Sequence, residues 1–202
     1  MKTLNVPYAE NFGALAGFAV LKLEEVPWAA EFPYKPEVTL SAAHNAGSIL
    51  LRFDVVEEDV RAVCLEGNGP VWEDSCVEFF VKSPDSPFYF NFETNCIGTG
   101  LAAKRTDRSN CTHFSPELMD RIVRRSSLPA EKAGGGEGKW NLELEIPFDV
   151  LDCGPRPESL MANFYKCGDR TARPHFVSWA PIDTPSPDFH RPEFFGKLNL
   201  EW

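Results

Sequence analysis

Two tryptophans and a set of carboxyl and amide side chains are the residues of this chain best suited to hold a ligand. Trp72 lies in Gly69-Pro70-Val71-Trp72-Glu73-Asp74, a turn segment just ahead of an apolar run. Trp179 lies in Val177-Ser178-Trp179-Ala180-Pro181, where an apolar run gives way to a proline-rich stretch. Glu78 follows Trp72 by six positions, and strand alternation places it on one face with Cys76 and Phe80. In residues 88–95 alternation separates Phe88, Phe90 and Phe92 from Tyr89, Asn91, Glu93 and Asn95. In residues 161–167 it puts Asn163 and Tyr165 beside Met161 and Cys167. These faces present Glu, Asn and Tyr from a half-apolar surface, unlike the Lys, Glu and Thr of an ordinary solvated face.

Sugars ask for this chemistry. A pyranose packs its C–H face on an aromatic ring. Its hydroxyls both donate and accept; carboxylates accept from them, and an amide does both at once. Trp with Glu and Asn thus grips a neutral sugar without needing net positive charge. A blander reading stays open, in which the tryptophans are core lids and the acids bond turn amides or arginines. Glu73, Asp74, Glu78 and Glu93 would also suit a glycoside hydrolase, which needs two carboxyl groups roughly 5–9 Å apart. The chain has no G-x-S-x-G nucleophile elbow, and His44, His113, His175 and His190 have no recognisable catalytic setting. A Met/His haem pair would draw on Met119 or Met161. Met119, however, shares a helical segment with Leu118 and Ile122, which points to packing.

The elements that must position these groups are short and alternate with period 2, the strand signature. Strands are expected over residues 48–55, 76–82, 88–95, 140–146, 160–167, 175–179 and 194–200. Strands of this kind between turn residues predict an all-β fold, an antiparallel β-sandwich of jelly-roll type. One helix is expected over residues 115–125, with Ser115 as cap, Pro116 in the first turn, and Leu118 and Ile122 four apart. Gly134-Gly135-Gly136-Glu137-Gly138 reads as part of a long hairpin loop, so residues 1–202 are read as one domain. The proline-rich residues 182–192 are either a stiff wall beside Trp179 or a rigid surface crossing.

Composition narrows the partners. The chain has 202 residues, with 30 acidic against 20 basic side chains and a formal net charge of −10. That acidity, without a basic cluster, argues against nucleic acid or an anionic membrane as partner. No apolar run approaches the roughly 20 residues of a spanning helix. Asn5, Pro7, Glu10 and Asn11 interrupt the apolar stretch that a secretory signal would need, so a cytoplasmic address is expected, with export as the alternative. The six cysteines form no C-x-x-C pair and read as buried free thiols. With no export expected, Asn110-Cys111-Thr112 reads as a chance match to a glycosylation pattern.

The segment Val71-Trp72-Glu73-Asp74-Ser75-Cys76-Val77-Glu78-Phe79-Phe80 resembles the Trp-to-Glu region of family 9 carbohydrate-binding modules. Residues 88–95, Asn163-Phe164-Tyr165-Lys166 and Pro192-Glu193-Phe194-Phe195-Gly196-Lys197-Leu198 fit the same pattern, so the resemblance spans about residue 37 to 200. The chain is similar in particular to free-standing family-9-like proteins of gut-type bacteria. The resemblance implies a β-sandwich that binds a mono- or oligosaccharide without catalysis. It implies a clamp of Trp72 and Trp179, with Glu78 on the sugar hydroxyls and Asn163 and Arg105 as further ligand groups. Asn91, from the polar strand face, joins that set. No cofactor is expected; structural calcium occurs in the family, but no Asp-rich loop here calls for it.

Overall fold

The computed structural model describes residues 1–129 and 138–202. In chain order the strands are β1 (Thr3–Val6), β2 (Leu21–Lys22), β3 (Glu37–His44), β4 (Ser48–Glu57), β5 (Cys76–Lys82), β6 (Tyr89–Asn95), β7 (Gly100–Arg105), β8 (Cys111–His113), β9 (Val123–Ser126), β10 (Gly138–Pro147), β11 (Ser159–Cys167), β12 (Phe176–Ser178) and β13 (Gly196–Leu200). They form two sheets. The larger runs β1-β13-β11-β5-β6-β7-β8, with β12 sharing an edge of β11; the smaller runs β2-β3-β4-β10-β9. Pairing is antiparallel except between β1 and β13, which run parallel. The chain is the expected β-sandwich, and no helix among the described residues is long and apolar enough to cross a membrane.

The helix in the expected window is brief. It spans Pro116–Asp120 (α1), with the Ser115 hydroxyl accepting from the Leu118 amide. Residues 123–126 leave it to pair with β10, Val123 facing Glu145 and Ser126 facing Leu142. A β-branched pair, Ile122 and Val123, follows the helix and favours the extended ladder over another turn. Residues 134–137 of the glycine-rich stretch lie outside the described residues, while Gly138 opens β10.

Alternation explains the core. Val77, Phe79 and Val81 of β5, Phe90 and Phe92 of β6, and Leu160, Ala162 and Phe164 of β11 point toward the smaller sheet. There they meet Ile49, Leu51, Phe53 and Val55 of β4 and Leu142, Leu144 and Ile146 of β10. Phe79 stacks on Phe164 with ring centroids 5.2 Å apart. The other face of the larger sheet is covered as well. Phe80, Tyr89 and Tyr165 form a second cluster there with Trp28, Ile182, Phe189 and Phe195. Every residue of β6 is therefore buried. Its alternation separates an apolar face from a polar one, not inside from outside.

Candidate functional site

The polar face of the larger sheet floors a cleft of about 300 Å³. Trp72 stands at its rim on a 3₁₀ turn, Val71–Glu73, and keeps 37 % of its surface exposed. The turn is held by its neighbour Asp74, whose buried carboxylate accepts from the Val63 and Cys64 amides at 2.9 Å and from Asn95 Nδ2 at 3.1 Å. The Trp72 carbonyl in turn accepts from the Asp169 amide at 3.2 Å, tying the turn to the end of β11.

Glu78 of β5 and Glu93 of β6 form the floor as direct register partners. Facing side chains in such a pair start from Cβ atoms roughly 5 Å apart. Both residues are almost wholly enclosed, at 3 % and 4 % exposure, so their carboxyl groups have little water to solvate charge. A relay of polar groups runs beside them. Arg105 Nε donates to Asn91 Oδ1 at 2.7 Å, Asn91 Nδ2 donates to Glu93 Oε1 at 2.8 Å, and Arg105 also donates to the Arg108 carbonyl at 2.8 Å. On the other side Cys167 Sγ lies 3.0 Å from Glu78 Oε1.

The proline-rich segment supplies a wall, with Pro187, Asp188, Phe189 and His190 lining the cleft. Phe189 stacks on Tyr165 with centroids 4.1 Å apart and planes 8° from parallel, and the Tyr165 hydroxyl donates to the Phe189 carbonyl at 3.2 Å. Trp28 Nε1 pins the same segment through the Thr184 carbonyl at 2.9 Å. His190 Nδ1 lies 3.0 Å from the Tyr89 hydroxyl.

Burial sets the protonation of the floor. It raises Glu78 well above the carboxylate range, and the nearby Glu93 charge adds to the rise. Burial lifts Glu93 to about 7, against the lowering pull of its Asn91 hydrogen bond and of Arg105. His190 is pushed down to about 3, by burial first and then by Arg105 and Arg108, so it is neutral. Near neutral pH the carboxyl pair thus retains proton, giving a donor O–H beside acceptor oxygens. A face that offers both roles side by side matches a pair of vicinal hydroxyls.

Among the residues anticipated from the sequence, Trp72, Glu78 and Arg105 come together in the cleft. Asn91 sits one step behind, fully buried, linking Arg105 to Glu93. Asn163 is a backbone clasp: it donates to the Ala180 carbonyl at 3.1 Å and accepts from the Ala180 and Phe164 amides at 2.8 and 2.9 Å. Trp179 does not join Trp72. Its amide bonds the Phe164 carbonyl at 2.9 Å, and at 2 % exposure its ring packs between the sheets on Phe164. Trp179 shares the inward face with Val177, so strand parity turns the indole away from the cleft. Sequence reasoning weighed Glu93 as an acid but left it out of the binding set, and it missed Arg108, Asp169 and Phe176. Glu93 carried a signal, its place on the polar face of β6. Arg108 and Asp169 lie in loops where no periodicity marks a face. Among the described residues, Cys76, Glu78 and Cys167 are the group able to offer converging metal ligands, with ligand atoms within 4.8 Å of one another.

The family model of Carbohydrate-binding family 9 matches residues 14–200. The chain belongs to this family. Among solved structures, a protein of Bacteroides uniformis ATCC 8492, provisionally described as carbohydrate-binding, shares 37 % identity with this family 9 chain. It superposes with a TM-score of 0.91 over 99 % of each chain. Two structures of a family 9 module from Caldicellulosiruptor kristjanssonii, one with cellotriose and one with glucose, share the fold. Their TM-scores are 0.67 and 0.65, with 10 % and 12 % identity; each alignment covers 99 % of this chain and 94 % or 96 % of the module. No curated protein matches the chain.

Proposed function

We propose that the cleft binds a mono- or oligosaccharide without cleaving it, one sugar ring lying on the Trp72 indole. Glu78 and Glu93 take its hydroxyls from the floor, and Arg105, oriented by Asn91, donates to a further oxygen. The observation that carries this reading is the juxtaposition of a rim tryptophan with an enclosed carboxyl pair, in a chain of a carbohydrate-binding family. The phenyl rings of Phe176 and Phe189 also line the cleft and take the part first expected of Trp179.

The test is a fluorescence and calorimetric titration against a panel of sugars. Glucose and cellotriose come first, since those are the ligands in the two family 9 module structures. Binding should perturb the Trp72 emission, and Trp72→Ala should weaken affinity at least tenfold, about 1.4 kcal/mol. A panel with no response, or a Trp72→Ala chain that binds as well as wild type, would sink the proposal.

One observation favours hydrolysis as a second reading: Glu93 is raised to about 7 beside another carboxyl group, as a general acid would be. Against it, the two side chains rise side by side from neighbouring strands of one sheet. Glycosidase carboxyl groups flank the scissile bond instead. Release of reducing sugar that is abolished in Glu93→Gln would establish the second reading in place of the first.

A further inference from the structure

We propose that Cys76, Cys167 and Glu78 form a binding site for a thiophilic divalent ion, of which zinc is the archetype, in the floor of the cleft. Cys76 and Cys167 face each other directly across the β5–β11 ladder. The side chain of Glu78, two residues along on the same face of β5, converges on them. The three ligand atoms lie within 4.8 Å of one another, all buried, and Cys167 Sγ stands 3.0 Å from Glu78 Oε1. Zinc bonds of about 2.3 Å to sulfur and about 2.1 Å to oxygen, at tetrahedral angles, require ligand atoms roughly 3.6–3.8 Å apart.

The donor set chooses the metal. Two thiolates are soft ligands that select zinc and its thiophilic relatives over calcium or magnesium. Because Cys167 and Glu78 line the cleft while Cys76 lies behind them, the ion enters from the cleft and leaves a fourth position open to it. Water or a ligand oxygen completes the tetrahedron there, the pattern of zinc sites that keep an open position. Two thiolates and one carboxylate leave a single net negative charge around a divalent ion, and Arg105 beside the floor offsets it.

This site does not rest on the sugar reading, and it is tested with no sugar present. The reduced full chain carrying Cys64→Ser, Cys111→Ser and Cys153→Ser, which removes the three cysteines that are not buried, is titrated with Co²⁺. The expected result is one equivalent bound, with the intense visible bands of tetrahedral thiolate coordination, bleached by Zn²⁺. Adding Cys167→Ser should abolish the bands, and Glu78→Gln should weaken binding at least tenfold. A parallel measurement needs no variant: in the wild-type chain Zn²⁺ should slow alkylation of Cys167 at least tenfold and leave Cys64 unprotected. Failure of Co²⁺ to produce thiolate bands, or unchanged alkylation of Cys167 under Zn²⁺, overturns the proposal.

Discussion

For the enclosed side chains Glu78, Glu93, His190 and His175, burial is the first cause of the shift in protonation, and His175 shows the consequence most cleanly. Its Nδ1 faces the Arg173 carbonyl at 2.9 Å, and its Nε2 lies 2.7 Å from Lys166 Nζ. The ring is neutral, with Nδ1 donating and Nε2 accepting from the ammonium. Burial first, and the Lys166 charge second, push its pKa down to about 2. A histidine depressed in the folded state stabilises above its unfolded pKa of about 6.5, and that contribution is lost as pH falls toward the folded value. The stability advantage of wild type over His175→Gln should therefore shrink by about 1.4 kcal/mol for each unit of acidification below about 6.5. Urea midpoints at pH 7.5, 6 and 5 measure it; an advantage that stays constant would show that the ring is not held neutral. Neither the depression nor the lysine partner is legible in the sequence. His175 and Lys166 are nine residues apart, and what joins them is the β11–β12 pairing.

At the level of elements, Trp179 and Gly196 explain each other. A methyl group added at Gly196 would lie 2.5 Å from Trp179 Cζ3 and 2.9 Å from the Lys2 carbonyl oxygen. Gly196 opens β13, so the bare backbone of that strand makes the slot for the indole between the sheets. Gly196→Ala should lower stability by about 1–3 kcal/mol through overpacking. Trp179→Phe should destabilise by a similar amount through the cavity it leaves. Neither should change sugar affinity more than twofold in the folded chain, whereas Trp72→Ala should. Thermal melts beside the sugar titration separate the two tryptophans, and a tenfold affinity loss in Trp179→Phe would restore it to the site. In the sequence both tryptophans border an apolar run and a turn. The strand pattern of residues 88–95 was readable because alternation there is unbroken; the fate of Trp179 depended on which face of β12 met the second sheet.

Across the described residues, the two sheets are joined by apolar packing and by an enclosed ion pair. Lys166 Nζ of β11 lies 2.9 Å from Glu57 Oε2 at the end of β4, with both side chains fully buried. Trp140 Nε1 of β10 donates to the other Glu57 oxygen at 2.7 Å. Removing one partner strands a charge without water, so Lys166→Ala should cost about 3–5 kcal/mol in a chemical denaturation measurement. The double replacement Lys166→Met with Glu57→Gln should recover part of that loss, because no buried charge remains. A Lys166→Ala chain as stable as wild type would mean that water reaches Glu57.

Taken alone, the sequence determined the strand periodicity, the polar face of β6, the tryptophan ahead of β5 and the net acidity of the chain. Those follow from local spacing, because a strand displays alternate residues on opposite sides whatever it packs against. Tertiary structure decided which side closes over the core and which becomes a cleft. The larger sheet is covered on both faces, so burial no longer distinguishes them. It also decided the company of Trp72. Arg105, Asp169 and Phe189 reach it from three distant parts of the chain, through the β6–β7 pairing, the end of β11 and the proline-rich crossing. No local spacing encodes such a meeting; only the strand order of the sheet brings it about.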